Sequence, residues 1–304
     1  MKIVTPSTGY VGRFAPSPSG NLHFGSLVTA LGSYLRAKSQ NGKWLLRIED
    51  IDPSREVAGA SDSIMRCLEA HHLFWDEEVV YQSNRSDLYN KYIQRLSERD
   101  LIYCCRCTRA QLSKLKMEQT CQCYNQISSA ENRAVRFKHH QKHPQFYDEL
   151  LGQIDIPKHD ISSQFTIKRK DGLFSYQLAV VVDDIAQGIT EVARGADLLD
   201  ATSFQLALYQ AFDAPAPAFL HFPVVVTQPG KKLSKQNHAR EINTDQVCTN
   251  LINALGFLGY SPTEELKQGS VQNILNWAIS EWDLSKVPSK TECIDNRIGQ
   301  ADSI

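Results

Sequence analysis

Gly9-Tyr10-Val11-Gly12-Arg13-Phe14-Ala15-Pro16-Ser17-Pro18-Ser19-Gly20-Asn21-Leu22-His23-Phe24-Gly25-Ser26 is the stretch on which the fold turns. Gly9 to Phe14 reads as a short strand, and the Pro/Ser/Gly-rich run after it as a turn-rich link. Beyond His23, the residues Leu27, Leu31, Tyr34 and Leu35 recur at the i, i+4, i+7, i+8 spacing of one buried helical face. A second strand follows at Trp44-Leu45-Leu46-Arg47-Ile48, closed by Glu49-Asp50, and a second helix at 58–73. Strand, helix, strand, helix in this order predicts an α/β fold with parallel strands and right-handed crossovers.

Outward from that start, Tyr89 to Leu101 reads as a further amphipathic helix. A cysteine cluster and a polar stretch up to about Ser163 then read as an inserted module. Regular α/β patterning resumes at Phe165-Thr166-Ile167-Lys168-Arg169, Leu178-Ala179-Val180-Val181-Val182 and Phe222-Pro223-Val224-Val225-Val226, with a helix at 201–212. After Lys235 the patterns at 247–258 and 271–281 are helical. The expected division is 1–100 and 165–240 for the two halves of one catalytic domain, 101–164 for the insertion and 241–304 for a short helical extension.

Composition narrows the function. The 304 residues carry 33 Lys+Arg against 34 Asp+Glu, a formal charge of -1. No global cationic field exists to hold nucleic acid, so any RNA contact has to be local. The densest basic run is Arg133, Arg136, Lys138, His139, His140, Lys142 and His143, a pattern that also suits a solvated face. No export signal is recognised at the N-terminus, and the longest apolar run, Leu178 to Val182, stops at Asp183-Asp184. A cytoplasmic chain with no membrane contact is expected, and a monomer.

Three groups of residues carry chemistry. His23-Phe24-Gly25-Ser26 opens a helix, whose unpaired N–H groups and partial positive charge suit a phosphate, with Gly25 permitting close approach and His23 offering a donor. Lys231-Lys232-Leu233-Ser234-Lys235-Gln236, after Pro229-Gly230, places three lysines as a point-charge clamp for a triphosphate. Taken singly, these also describe a capping histidine and a solvated loop. The third group is Cys105-Arg106-Cys107 with Cys121-Gln122-Cys123, four thiolates for a closed, structural zinc site at roughly 2.3 Å per bond. Free or redox-active thiols are the alternative, and Cys104 is a spare.

Together the first two groups resemble the two signature motifs of class I aminoacyl-tRNA synthetases. The surrounding Gly12-Arg13-Phe14-Ala15-Pro16-Ser17-Pro18-Ser19-Gly20, Leu46-Arg47-Ile48-Glu49-Asp50-Ile51-Asp52, Tyr176-Gln177-Leu178-Ala179-Val180-Val181-Val182-Asp183-Asp184 and Arg194-Gly195-Ala196-Asp197 resemble the glutamyl-tRNA synthetase catalytic core, from about Val11 to Asn237. The resemblance implies a Rossmann-type core and assigns Arg13, Ala15, Ser17, Glu49, Tyr176 and Arg194 to a glutamate pocket. It assigns His23, Gly25 and Lys235 to catalysis, and the same three with Ser26, Lys232 and Ser234 to ATP and its Mg²⁺. These residue types suit the ligand: guanidinium groups pair bidentately with carboxylates, Glu49 can take the ammonium, and Tyr176 can wall the pocket and donate a hydroxyl. Ser26 and Leu233 depart from the literal signatures in ways this branch accepts.

Full-length glutamyl-tRNA synthetases continue into a large anticodon-binding region, whereas this sequence stops at Ile304. With the cysteine module and the ending Leu233-Ser234-Lys235-Gln236-Asn237, that resembles the glutamyl-queuosine tRNA(Asp) synthetase family. The implied reaction is ATP-dependent activation of L-glutamate and its esterification to queuosine at the wobble position of tRNA(Asp). Related short enzymes hold zinc with a Cys-x-Cys pair, a Tyr and a Cys. The Tyr position by spacing is Gln119 here, so Cys121 is expected to replace it. A conventional synthetase charging a tRNA 3′ end and a non-catalytic, zinc-stabilised RNA regulator stay open as other readings.

Overall fold

A computed structural model describes residues 9–115, 120–124, 132–138, 145–155, 164–228, 231–232 and 241–295. The chain opens with strand β1 (Val11–Phe14), helix α1 (Phe24–Ser39) and strand β2 (Lys43–Ile48). β1 and β2 are parallel, in the register Val11 opposite Lys43 and Phe14 opposite Leu46. Every residue of β2 after Lys43 is buried, as expected of a strand covered on both faces. Leu27, Leu31 and Leu35 on α1 are completely buried and Tyr34 nearly so, confirming the predicted stripe. At about 2 kcal/mol per fully buried leucine, that stripe is a main source of the stability of this half. Gly32 lets α1 settle on the sheet: a Cβ there would stand 2.8 Å from the Phe222 ring.

Helix α2 (Ala60–Ala70), strand β3 (Val80–Tyr81) and helix α3 (Ser86–Glu98) complete the first half, and β3 adds parallel to β2. Strand β4 (Ile102–Cys105), helix α4 (Arg109–Leu112) and strands β5 (Ala134–Lys138), β6 (Gln145–Asp148), β7 (Gly152–Asp155) and β8 (Gln164–Lys168) follow. These strands serve two sheets. β4, β5 and β8 form an antiparallel sheet beside the cysteines, whereas the β6–β7 hairpin joins the main sheet next to a later strand. The polar stretch read as one insertion therefore also supplies strands to the sheet of β9 and β10.

Next come helix α5 (Tyr176–Gln187), strand β9 (Glu191–Gly195), helix α6 (Ala201–Ala211), and strands β10 (Ala218–Phe222), β11 (Val224–Gln228) and β12 (Lys231–Lys232). β9 pairs parallel with β10, and β10 with β6. On its other side β9 lies against β1, where the Thr190 N–H donates to the Val11 carbonyl at 2.9 Å. The apolar run Leu178–Val182, rich in valine, is the buried middle of α5 rather than a strand. Ser175 caps that helix and Gly188, at φ +66°, ends it, so local signals outweigh β-propensity. Helices α7 (Val247–Phe257), α8 (Glu264–Lys267) and α9 (Val271–Ser280) follow, and Leu251, Ala254, Leu255, Ile274, Leu275 and Ala278 join the core around α1. Strand β13 (Glu292–Ile294) had no expectation in the sequence. It pairs parallel with β11, so the segment after Lys235 is not helical throughout. Among the described residues no helix is long and apolar enough to cross a membrane.

Candidate active site

β1 and β9 lie side by side, each the edge of its own set of parallel strands, β1 leading into α1 and β9 toward α6. In open α/β sheets a crevice commonly forms at the carboxyl ends of such strands. Here it is a cleft of about 740 Å³, and Arg13, Ala15, Ser17, His23, Gly25, Ser26, Glu49, Tyr176 and Arg194 all line it. Of the other sequence-predicted residues, Lys232 is placed in the backbone of β12, and Ser234 and Lys235 lie outside the described residues.

One end of the cleft is a buried charge network. Arg13 donates from Nε to Asp184 Oδ1 at 3.1 Å. Among the described residues no hydrogen bond is made by its terminal amino groups, and Arg13 lines the cleft. Arg47, wholly buried beneath, donates to the same Asp184 oxygen at 2.8 Å and to Gln187 Oε1 at 2.7 Å, and its NH2 stands 3.6 Å from Glu49 Oε1. Asp183 accepts from Gln82, Arg85 and Tyr89 at 2.6 to 2.9 Å. Each acid in this floor is matched, with one exception: Glu49 Oε1 is buried and accepts no hydrogen bond. That oxygen faces Arg47, while the residue lines the cleft, where its carboxylate suits a cationic group brought by a ligand.

Burial, partly offset by Arg47 and Arg13, pushes the Glu49 carboxyl up to about 7. Ionised Glu49 is what an ammonium ligand needs. The acid limb of kcat/KM for an amino-acid substrate is therefore expected to bend near pH 7, with kcat/KM falling about tenfold per unit below it. A profile flat from pH 8 to pH 5.5 would contradict this use of Glu49.

Arg194 is held differently. Nε donates to His221 Nε2 at 3.0 Å, NH1 to Gln205 Oε1 at 2.8 Å, and NH2 to Thr202 Oγ1 at 2.8 Å and the Leu198 carbonyl at 3.2 Å. NH1 also reaches the Tyr176 hydroxyl at 3.5 Å. A hydroxyl that accepts from a guanidinium directs its own proton elsewhere, and Tyr176 lines the cleft. His221 in turn meets Asp148 Oδ2 at 2.6 Å through Nδ1. Neither His221 nor Asp148 figured among the sequence candidates.

At the other end, α1 presents its N-terminus. His23 caps the helix, accepting the Ser26 N–H at Nδ1 over 3.2 Å. In the neutral ring the proton is then on Nε2, a donor, and Ser26 Oγ is 3.2 Å from it. A Cβ on Gly25 would stand 3.3 Å from the His23 ring, so glycine keeps that ring and the helix end unobstructed. β12 pairs with β11, and Glu241 forms a bridge to His23, so the chain on both sides of 233–240 is anchored at this end of the cleft.

The cysteine module stands apart. The Sγ atoms of Cys105, Cys107, Cys121 and Cys123 all lie within 4.8 Å of one another, with 3.6 Å between Cys105 and Cys121 and 3.9 Å between Cys107 and Cys123. A tetrahedron with bonds of roughly 2.3 Å has edges of about 3.8 Å, so the group can hold a metal ion of zinc size. Cys104 points away from the cluster, by strand alternation on β4, and Cys121 is in it; Gln119 is outside the described residues. Arg136 donates to the Tyr103 hydroxyl at 3.0 Å, which lies 3.5 Å from Cys121 Sγ. Burial would raise the Cys121 thiol, but hydrogen bonds from Tyr103 and the cluster bring it below its ordinary value. The basic run beside the module is less available than its composition suggests. Arg136 is spent on Tyr103 and Thr166, and Lys138 on Asp100 at 2.7 Å, while His139, His140, Lys142 and His143 lie outside the described residues.

Comparison with known proteins identifies the family. The family of tRNA synthetases class I (E and Q), catalytic domain, matches residues 10–277. The chain is 48% identical to the glutamyl-Q tRNA(Asp) synthetase of Photobacterium profundum over 96% of this chain and 94% of that one. It is 47% identical to the protein of the same name from Shewanella oneidensis, covering 96% of each. Among solved structures, a glutamate-tRNA synthetase from Elizabethkingia anophelis superposes with a TM-score of 0.75 at 24% identity, over 95% of this chain and 68% of that one.

Proposed function

The chain belongs to the class I tRNA synthetases of the glutamate and glutamine branch, a family of ligases, and from that membership we propose that it activates L-glutamate with ATP and transfers the glutamyl group to queuosine at the wobble position of tRNA(Asp). The queuosine acceptor is what its relatives are named for. The observation that carries the choice of amino acid is the Glu49 carboxylate lining the same cleft as Arg13 and Tyr176. Glu49 takes the ammonium, and Arg13 with Arg194–Tyr176 takes carboxylate oxygens. Ala15 and Ser17 shape the wall.

In the first step a glutamate α-carboxylate oxygen attacks the α-phosphorus of ATP. The new P–O bond forms as the bond to the β-phosphate oxygen breaks, and pyrophosphate leaves; Mg²⁺ bound with the ATP would neutralise part of its charge. His23 Nε2–H, the α1 N-terminus behind Gly25 and Ser26, and the lysine segment with Lys232, Ser234 and Lys235 stabilise the charge that develops. In the second step a queuosine hydroxyl attacks the adenylate carbonyl, the new C–O bond forms as the bond to the phosphate oxygen breaks, and AMP leaves, its phosphate or solvent taking the hydroxyl proton. Positioning and charge stabilisation supply the acceleration, with no general base required.

Pyrophosphate exchange that depends on glutamate and not on tRNA is the direct test. Absence of glutamate-dependent exchange in a folded, ATP-binding protein would overturn the proposal. Lys235→Ala is expected to lower exchange by about an order of magnitude or more with the thermal midpoint unchanged, since one charge-stabilising contact is commonly worth several kcal/mol. Undiminished exchange would remove Lys235 from the mechanism. The four cysteines are proposed to hold one structural zinc per chain.

A further inference from the structure

Arg194 is a long way from self-positioning. A guanidinium on a flexible stem can rotate about its last bonds, and what it offers a ligand depends on which edge its neighbours hold. Four anchors define that edge: His221 Nε2 at 3.0 Å, Gln205 Oε1 at 2.8 Å, Thr202 Oγ1 at 2.8 Å and the Leu198 carbonyl at 3.2 Å. Gln205 is itself oriented, donating through Nε2 to Gln177 Oε1 at 3.0 Å, so its carbonyl oxygen is the atom facing Arg194.

His221 is the anchor whose chemistry must be set. It is completely buried on β10, and turning its ring over would break the contacts to both Arg194 and Asp148. An arginine Nε–H is always a donor, so His221 Nε2 must present its lone pair. Nδ1 must then carry the hydrogen, and it meets Asp148 Oδ2 at 2.6 Å. Asp148 is equally fixed. Its Oδ1 accepts the Leu150 and Leu151 N–H groups at 3.0 and 2.9 Å, and both its residue and His221 have no exposure. Burial, with Arg194 nearby, keeps the imidazole pKa below its ordinary value against the pull of Asp148, consistent with a neutral ring.

We propose that Asp148 and His221 are positioning residues for glutamate recognition: Asp148 fixes His221 in the tautomer that accepts from Arg194 Nε, and His221 thereby holds the guanidinium so that NH1 faces the Tyr176 hydroxyl in the cleft. This rests on the proposed function, of which it specifies the carboxylate-binding side. Asp148 belongs to the β6–β7 hairpin, inside the stretch whose composition suggested only an insertion, so that hairpin reaches the substrate pocket through two side chains. An imidazolium at 221, or the opposite tautomer, would set an N–H against an N–H and release the guanidinium from its plane.

The test is pyrophosphate exchange by His221→Leu, which removes the acceptor, beside His221→Gln, whose side-chain oxygen can replace it. His221→Leu is expected to raise the glutamate KM by about tenfold or more, the usual scale for loss of one charge-assisted contact, with the ATP KM within about twofold. His221→Gln is expected to recover most of the loss. Equal impairment of both variants, or equal rises in the two KM values, would reduce the pair to a packing role and overturn the proposal. If His221→Leu does not fold, the ¹⁵N spectrum of the wild-type imidazole at pH 7 decides. A protonated Nδ1 and bare Nε2 support the proposal, and an imidazolium or Nε2–H form overturns it. Wild-type protein with no glutamate-dependent exchange would instead overturn the function on which it rests.

Discussion

Glu49→Gln is expected to abolish most glutamate-dependent exchange and, at the same time, to stabilise the fold above neutral pH. Glu49 is buried with one oxygen lacking a donor, and burial lifts its carboxyl from the ordinary value near 4.5 to about 7. The folded state thus holds the proton more tightly than the unfolded chain. Stability is lost as pH rises from the unfolded pKa through about 7, and above that the ionised carboxylate costs on the order of 3 kcal/mol. Glutamine carries no charge at any pH and avoids that cost, so at pH 8 the variant is expected to melt several degrees higher, with little difference at pH 4. For the ligand the sign reverses. An ammonium docked on a neutral amide loses a buried charge pair, a loss of roughly 3 to 5 kcal/mol or at least a hundredfold in kcat/KM. Thermal scans at the two pH values with exchange assays check both halves. A variant less stable at pH 8, or one that exchanges normally, would contradict the role.

Removal of zinc is expected to have a large and spatially confined effect. The small apolar cluster of the module contains Tyr103, Cys105, Cys121 and Cys123, with Leu112, Leu115 and Tyr124 packed on it, too little to order that chain without the metal. Val135 and Phe137 on β5 and Ile167 on β8, by contrast, belong to the larger core with α5. Chelation is therefore expected to abolish amide protection around 103–124 while β5, β8 and the catalytic sheet stay protected. Structural zinc sites contribute about 10 to 16 kcal/mol of binding free energy at pH 7, and the ligands must shed protons first. Burial pushes the Cys105 thiol up to about 12, so metal uptake is expected to slow and weaken toward acid pH. Protein purified without chelator should contain one zinc per chain, and Cys105→Ser close to none. Full amide protection of 103–124 in metal-free protein would contradict this account.

Much of the first half was legible because its signals are local. Strand, loop and helix at 11–39 follow from periodicity and turn residues, and the predicted pocket residues from Arg13 to Arg194 converge on one cleft because each sits at the end of an element the pattern already places. What escaped was long-range. Arg47, Asp183 and Asp184 stood inside quoted motifs, yet their work, a buried network under Glu49, depends on partners more than a hundred positions apart. Asp183-Asp184 looked like the end of an apolar run because a buried acid and an exposed one read alike in sequence. Asp148 and His221 gave no signal at all, since β6 is four residues long and lies in a polar stretch. β13 is three residues whose only support is the edge of β11, so no periodicity could announce it.

The most direct test of the central claim is transfer of labelled glutamate, with ATP and Mg²⁺, to tRNA prepared with and without queuosine after periodate oxidation of the 3′ ends, using queuosine protected at its own diol or reintroduced after oxidation. Labelling that requires queuosine and survives the loss of the 3′ diol is the predicted result. Labelling that is independent of queuosine and disappears on 3′ oxidation would contradict it and make the chain a short conventional synthetase.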